Sequence, residues 1–148
     1  MVKALDENES LPDHVGWLLW QANRLWMQDF VAAVREAGHP WFSEARASLI
    51  GQIPRGGARQ LQLIERLGTS KQAVQQLLDG LEAEGVIVRL PDPADKRGRL
   101  VRYTDKGQAA LRDADRAKVA IENRYAERLG RERLSALLDA LRALNSEN

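Results

Sequence analysis

Apolar side chains recur at helical spacing over most of the chain. Residues 11–37 read as one long helix, because Val15, Leu18, Leu19, Ala22, Leu25, Trp26, Ala33 and Val34 follow a 3.6-residue period, interrupted at Asp29. Ser10 supplies a cap, Pro12 suits a first turn, Asp13 faces the positive helix end, and Gly38-His39-Pro40 stops the run. Trp17, Trp20, Met27, Phe30 and Val31 lie off that stripe. This is more apolar surface than a helix packed on one side presents, and it implies a second packing partner.

Two shorter helices are expected next, Ser43 to Ile53, ended by Pro54-Arg-Gly-Gly57, and Arg59 to Arg66, ended by Leu67-Gly68. After the tight turn, Thr69-Ser-Lys-Gln72 has the form of a capping box, and the helix it opens runs to Gly85 with Val74, Leu77, Leu78 and Leu81 as its buried stripe. Val86 to Leu90 and Arg99 to Tyr103 are β-rich, and the turn residues Pro91 to Gly98 between them predict a hairpin with a long basic tip. Thr104 caps a further long helix carrying Leu111, Ala114, Ile121 and Tyr125 and ending near Gly130. Leu134, Leu137, Leu138, Leu141 and Leu144 mark the last one. No repeat, low-complexity tract or linker divides residues 1–148.

Short helix, tight turn, capped helix and two strands joined by a basic tip make a winged helix-turn-helix. The expected fold is mainly α, with a two-stranded β-wing and long flanking helices. In such a module the second helix enters the major groove of duplex DNA, and helix N-termini and basic side chains meet phosphates. Opposite its leucine stripe, the helix from Thr69 presents Gln72, Gln75, Gln76 and Asp79. Glutamine pairs two-pronged with adenine, and Thr69, Ser70 and Lys71 stand at the positive helix end, where a phosphate is favoured. Taken singly, each glutamine also fits a merely solvated surface.

Charge changes the picture through its distribution. The 148 residues carry 22 Lys and Arg against 21 Asp and Glu, a formal charge of +1, which excludes a surface given over wholly to polyanion binding. Residues 1–40 are net −3 and residues 41–103 net +3. Within Val86 to Tyr103, Arg89, Lys96, Arg97, Arg99 and Arg102 face only Asp92 and Asp95. Beside a reading helix, such a hairpin is better explained as a phosphate or minor-groove arm than as a solvated loop.

The chain has no cysteine, which removes disulfides, thiolate metal sites, catalytic thiols and cysteine redox switches. His14 and His39 form no ligand pair, and there is no GxGxxG, P-loop or Gly-x-Ser-x-Gly. Neither a cofactor nor a metal is expected, and an enzyme built on Asp and Glu is the least favoured reading. The acidic opening residues lack a signal-peptide core, and no apolar run approaches the ~20 residues that span a bilayer. A cytoplasmic protein without membrane contact is expected.

Arg66-Leu-Gly-Thr-Ser-Lys-Gln-Ala-Val74, Leu81-Glu-Ala-Glu-Gly85, Asp92-Pro-Ala-Asp-Lys-Arg97 and Tyr103-Thr-Asp-Lys-Gly107 together resemble the MarR family of bacterial transcriptional regulators. The resemblance is strongest over residues 61–107. It implies a homodimer whose helices 11–37 and 108–146 intertwine and hold two modules, residues 41–107 of each chain, over a pseudo-palindromic DNA operator. It also implies that Asp95 steadies the wing while Arg97 reaches the minor groove. Tyr103 stands where the family usually has leucine, and Arg55-Gly-Gly-Ala-Arg59 is less typical.

Family members commonly release DNA when a small aromatic ligand binds near the junction of dimer and reading modules. Trp17, Trp20, Trp26, Trp41 and Phe42, with Arg46 for a carboxylate, are candidates for such a pocket, although aromatics at helical spacing usually serve a core or an interface. The expected function is a non-catalytic, sequence-specific regulator, a repressor associated with the nucleoid when bound. A winged-helix adaptor that docks on proteins is the alternative, since a fold does not fix a function.

Overall fold

The computed structural model describes residues 13–146. Six helices and three strands follow in the order α1 (Val15–Glu36), α2 (Glu44–Ile50), β1 (Ala58–Arg59), α3 (Gln60–Leu67), α4 (Lys71–Ala83), β2 (Ile87–Asp92), β3 (Asp95–Tyr103), α5 (Asp105–Leu129) and α6 (Arg131–Asn145). The strands form one antiparallel sheet in the order β1-β3-β2.

The α1 N-cap is His14, whose ring Nδ1 accepts from the Trp17 amide at 3.3 Å. Ser10 and Pro12, expected to open this helix, lie outside the described residues. The packing face also differs from the expected stripe. Phe30 and Val34 are buried, and Trp26, Met27, Val31 and Ala33 pack against the same core, whereas Val15, Leu18, Leu19 and Leu25 are exposed. The residues that meet the body of the chain lie in the C-terminal half of the helix and include several that fell off the period, while the exposed apolar residues lie mostly in its N-terminal half.

α2 is shorter than expected. Ser43 caps it, and the chain leaves the helix at Gly51 so that Ile53 can drop into the core. Arg59 belongs to a strand and not to a helix: β1 pairs Ala58 with Val101 and Arg59 with Leu100, a third strand too short to leave a pattern. Gly68 ends α3 at φ 62°, a left-handed conformation that favours glycine and makes the tight turn. Ser70, not Thr69, caps α4 by accepting from the Ala73 amide at 3.1 Å, so the expected capping box is displaced by one residue and Gln72 is free of it. Val74, Leu78 and Leu81 are fully enclosed, each stabilising the packing by about 1.5–3 kcal/mol.

The hairpin is also tighter than the turn residues suggested. Its strands run on until Asp92 opposes Asp95, leaving Pro93 and Ala94 as the tip. The Asp92 carboxylate accepts from the Ala94 amide at 2.9 Å and makes this turn itself. Lys96, Arg97 and Arg99 therefore stand on β3.

Behind the hairpin, α5 docks backbone to backbone. Thr104 Oγ1 accepts from the Gly107 amide at 3.1 Å and donates to the Gly85 carbonyl at 2.5 Å, while Lys106 Nζ donates to the Glu84 carbonyl at 2.6 Å. A Cβ on Gly107 would lie 2.0 Å from the Val86 carbonyl oxygen, so no other residue fits. At the other end of the core, buried His39 meets Asp113 Oδ2 through Nε2 at 2.8 Å, tying the α1–α2 turn to α5. This hydrogen bond, with Arg116 beside it, holds the Asp113 carboxyl below its usual range.

Gly107→Ala is expected to destabilise the protein by about 1–3 kcal/mol through overpacking, read as a lowered denaturation midpoint. An unchanged midpoint would show that α5 can shift away from Val86 at no cost.

Candidate nucleic-acid interface

The turn at Gly68 swings α4 so that its apolar side closes on the core and its other side faces outward. Gln72, Gln76 and Asp79 are exposed there and Gln75 is half-buried, with Thr69, Ser70 and Lys71 exposed at the helix N-terminus. That end carries the positive end of the helix dipole. The hairpin stands beside α4, with Lys96, Arg97, Arg99 and Arg102 exposed on β3. None of these four makes an ion pair among the described residues.

Two acids shape the wing. Asp95 Oδ1 accepts from the Arg97 amide at 3.0 Å, fixing the backbone that carries Arg97. Asp92, which the sequence reading did not single out, is buried and accepts from Arg59 Nε at 2.8 Å as well as from Ala94. These bonds, the Ala94 amide first and Arg59 second, hold its carboxyl below the usual carboxylate range. A buried aspartate at a turn leaves no periodic trace, and β1, which supplies Arg59, went unread.

Arg89 differs from the other basic wing residues. Its guanidinium is tied to Asp79 and Glu82 of α4 and its side chain is only 19% exposed.

Below the hairpin, Tyr103 fills the place where leucine is usual by turning its hydroxyl to the Ile53 and Ile50 carbonyls, 3.0 and 3.3 Å away. Burial pushes its phenol well above the ordinary value. It lines part of a cavity of about 680 Å³ between α1, α2 with its following loop, and α5. Trp26, Met27, Phe30, Trp41 and Phe42 form apolar wall, and Arg55, Arg66, Asp115 and Lys118 supply charge. The Trp41 indole N–H is buried without a partner. Of the ligand candidates, Trp26, Trp41 and Phe42 line this space, whereas Trp17, Trp20 and Arg46 do not. Trp17 and Trp20 stack on one another at 5.1 Å near the start of α1. Arg46 is turned toward α4, donating to the Trp41 carbonyl at 2.8 Å and standing 4.0 Å from Glu84. Among the described residues no three His, Asp or Glu side chains gather into a metal-ligating group, and no helix is long and apolar enough to cross a membrane.

Because the folded-state value of Asp92 is depressed, its contribution is present above the ordinary Asp value of about 4 and is lost as pH falls through the lower folded value. Hydrogen exchange at the Ala94 amide is expected to lose protection on acidification below about pH 4, with Asp92→Asn removing that acid transition. Protection that persists with the carboxyl protonated would exclude Asp92 as the turn's anchor.

Residues 45–98 match a family model described as the MarR family. The transcriptional regulator HosA of Escherichia coli O111:H- is 30% identical over 88 residues, and the match spans 60% of this chain and 65% of that protein, just under two thirds. Similarity of fold extends further. The apo form of wild-type MarR from E. coli aligns with a TM-score of 0.75 at 22% identity, over 93% of this chain and 98% of that one. The transcriptional repressor CouR, solved bound to a 23-mer DNA duplex, aligns with a TM-score of 0.69 at 29% identity, over 89% and 92%. Residues 45–98 thus resemble the MarR family, and the fold as a whole is similar to those of MarR and CouR.

Proposed function

We propose that the protein is a transcriptional regulator that binds duplex DNA as a homodimer and represses by occupying promoter sequence in the bacterial cytoplasm. The observation that carries this reading is the outward polar face of α4 beside cations on β3 that have no ion-pair partner among the described residues. Gln72, Gln75 and Gln76 are of the type that reads base edges from the major groove. Thr69, Ser70 and Lys71 suit a phosphate at the helix N-terminus, and Lys96, Arg97 and Arg99 suit the backbone or minor groove. CouR, a repressor solved on DNA, and HosA, a transcriptional regulator, are in keeping with it.

The apolar residues left exposed on α1 speak for the dimer. Leu18, Trp20 and Leu25 are 50%, 55% and 48% exposed, and Leu137 and Leu144 of α6 are exposed too. Exposed large apolar side chains in this number are of the kind that serve an interaction surface. In this reading α1, α5 and α6 join two copies, and the two α4 helices enter successive major grooves about 34 Å apart.

The cavity between α1, α2 and α5 suits a small aromatic acid that releases DNA: an apolar wall for the ring, and Arg55 and Lys118, both paired with Asp115, for a carboxylate that takes the place of Asp115. Trp17, Trp20 and Arg46 have no part in that site.

Titration of random-sequence and genomic duplexes at several salt concentrations tests the reading. A dimer without sequence preference at moderate salt would overturn it, and binding to proteins alone would favour an adaptor. Arg97→Ala is expected to weaken binding on every duplex and lower the slope of log K against log salt by about one. Gln76→Ala is expected to change preference at one base position, a loss of about 1–3 kcal/mol there. Leu18→Glu with Leu25→Glu is expected to give monomers in sedimentation that no longer hold a two-half-site duplex. Dimers that survive both changes would place the interface elsewhere.

A further inference from the structure

Arg89 has the composition of a phosphate contact but the surroundings of a structural tie. We propose that it is a positioning residue which locks the wing to the reading helix and so sets base selectivity, an assignment that rests on the DNA-reading function above. Its Nη2 lies 2.5 Å from Asp79 Oδ1 and 3.2 Å from Glu82 Oε1, and its Nε lies 3.4 Å from Glu82 Oε2. The Arg89 backbone amide also donates to Glu82 Oε2, at 3.0 Å. One carboxylate thus holds both the main chain and the side chain of the same strand residue. A phosphate approaching this guanidinium has to displace two carboxylates, whereas Lys96, Arg97 and Arg99 are held by none among the described residues.

The partner acids explain what the tie controls. Asp79 follows Gln75 and Gln76 at the i+4 and i+3 positions of α4, so it shares their outward face. Through Asp79 and Glu82 the direction of β2 is referenced to the face that carries the glutamines. At the far end of β2, Asp92 is clamped by Arg59 at 2.8 Å. Clamped at both ends, the hairpin moves with α4, and the cations of β3 keep a fixed offset from the glutamines. A single exposed ion pair contributes little, but a planar guanidinium shared by two carboxylates and largely withdrawn from water is stronger and directional. The depressed Glu82 carboxyl, held down chiefly by Arg89, is in keeping with that. Arg89 also neutralises acids that would otherwise face the phosphates.

The test uses the tightest duplex recovered from a random-sequence library and a scrambled duplex of equal length, titrated with the full chain across a salt series. Arg89→Ala is expected to cut the ratio of the two affinities about tenfold while leaving the salt slope on the scrambled duplex unchanged. The Arg97→Ala slope, lower by about one, is the internal reference. Asp79→Asn with Glu82→Gln keeps the cation but frees it, and is expected to tighten scrambled binding while lowering the same ratio. Arg89→Lys is not expected to rescue, because an ammonium cannot span two carboxylates in the guanidinium plane. The proposal is overturned if Arg89→Ala behaves like Arg97→Ala, with equal loss on both duplexes and a lower slope, or if the Asp79, Glu82 variant keeps the native ratio. The latter variant decides should Arg89→Ala fail to fold. Absence of salt-sensitive binding by the unaltered protein would sink the DNA reading and this proposal with it, whereas normal binding with an Arg97-like Arg89→Ala sinks the proposal alone.

Discussion

The relation between the reading module and the long helices depends on one close approach, the backbone of α5 against the Val86 carbonyl at Gly107. Side chains that pack leave some room to adjust; a helix backbone pressed on another backbone does not. Thr104 and Lys106 complete the joint by satisfying the Gly85 and Glu84 carbonyls, which the C-terminal end of α4 leaves free. The end of the reading helix, the start of the wing and the start of α5 therefore share one hydrogen-bonded junction. A displacement of α5 is transmitted to α4 without passing through a flexible linker.

Charge on the wing divides by partner into two kinds of work. Carboxylates at Asp79, Glu82, Asp92 and Asp95 are engaged with Arg89, Arg59 and the backbone amides of Ala94 and Arg97, and they fix shape. The remaining cations of β3 have no such partners among the described residues and are available to a ligand. Net charge alone does not separate the two groups, since Arg89 and Arg97 count equally in it. What separates them is whether a carboxylate lies within reach in three dimensions.

That distinction marks where the sequence stops being legible. Helix existence followed from periodicity and caps, and the motif order disclosed the winged helix-turn-helix, because these signals are local. Thr104 as the cap of α5 is a case in point. Cap assignment at α4 slipped by a residue, since Thr69 and Ser70 are both good caps and only the turn geometry after Gly68 chooses Ser70. β1 was missed because two residues carry no alternation, and its existence depends on Val101 and Leu100 far along the chain. Arg89 was read with the other wing cations for the same reason: its acids come from α4.

Helix α1 shows why its stripe was misjudged and what the chain gains from it. Apolar residues surround most of its circumference, so a single period cannot reveal which face turns inward. The core takes Phe30 and Val34 in the C-terminal half, while the N-terminal half keeps Leu18 and Trp20 exposed. The cavity opens between α1, α2 and α5, with Trp26 and Phe30 of α1 in its wall. One rigid helix thus carries an unpartnered apolar surface at one end and cavity wall at the other. With α5 also lining that cavity and joined at Gly107 to the segment that follows α4, the cavity wall, the free apolar surface and α4 belong to one packed body.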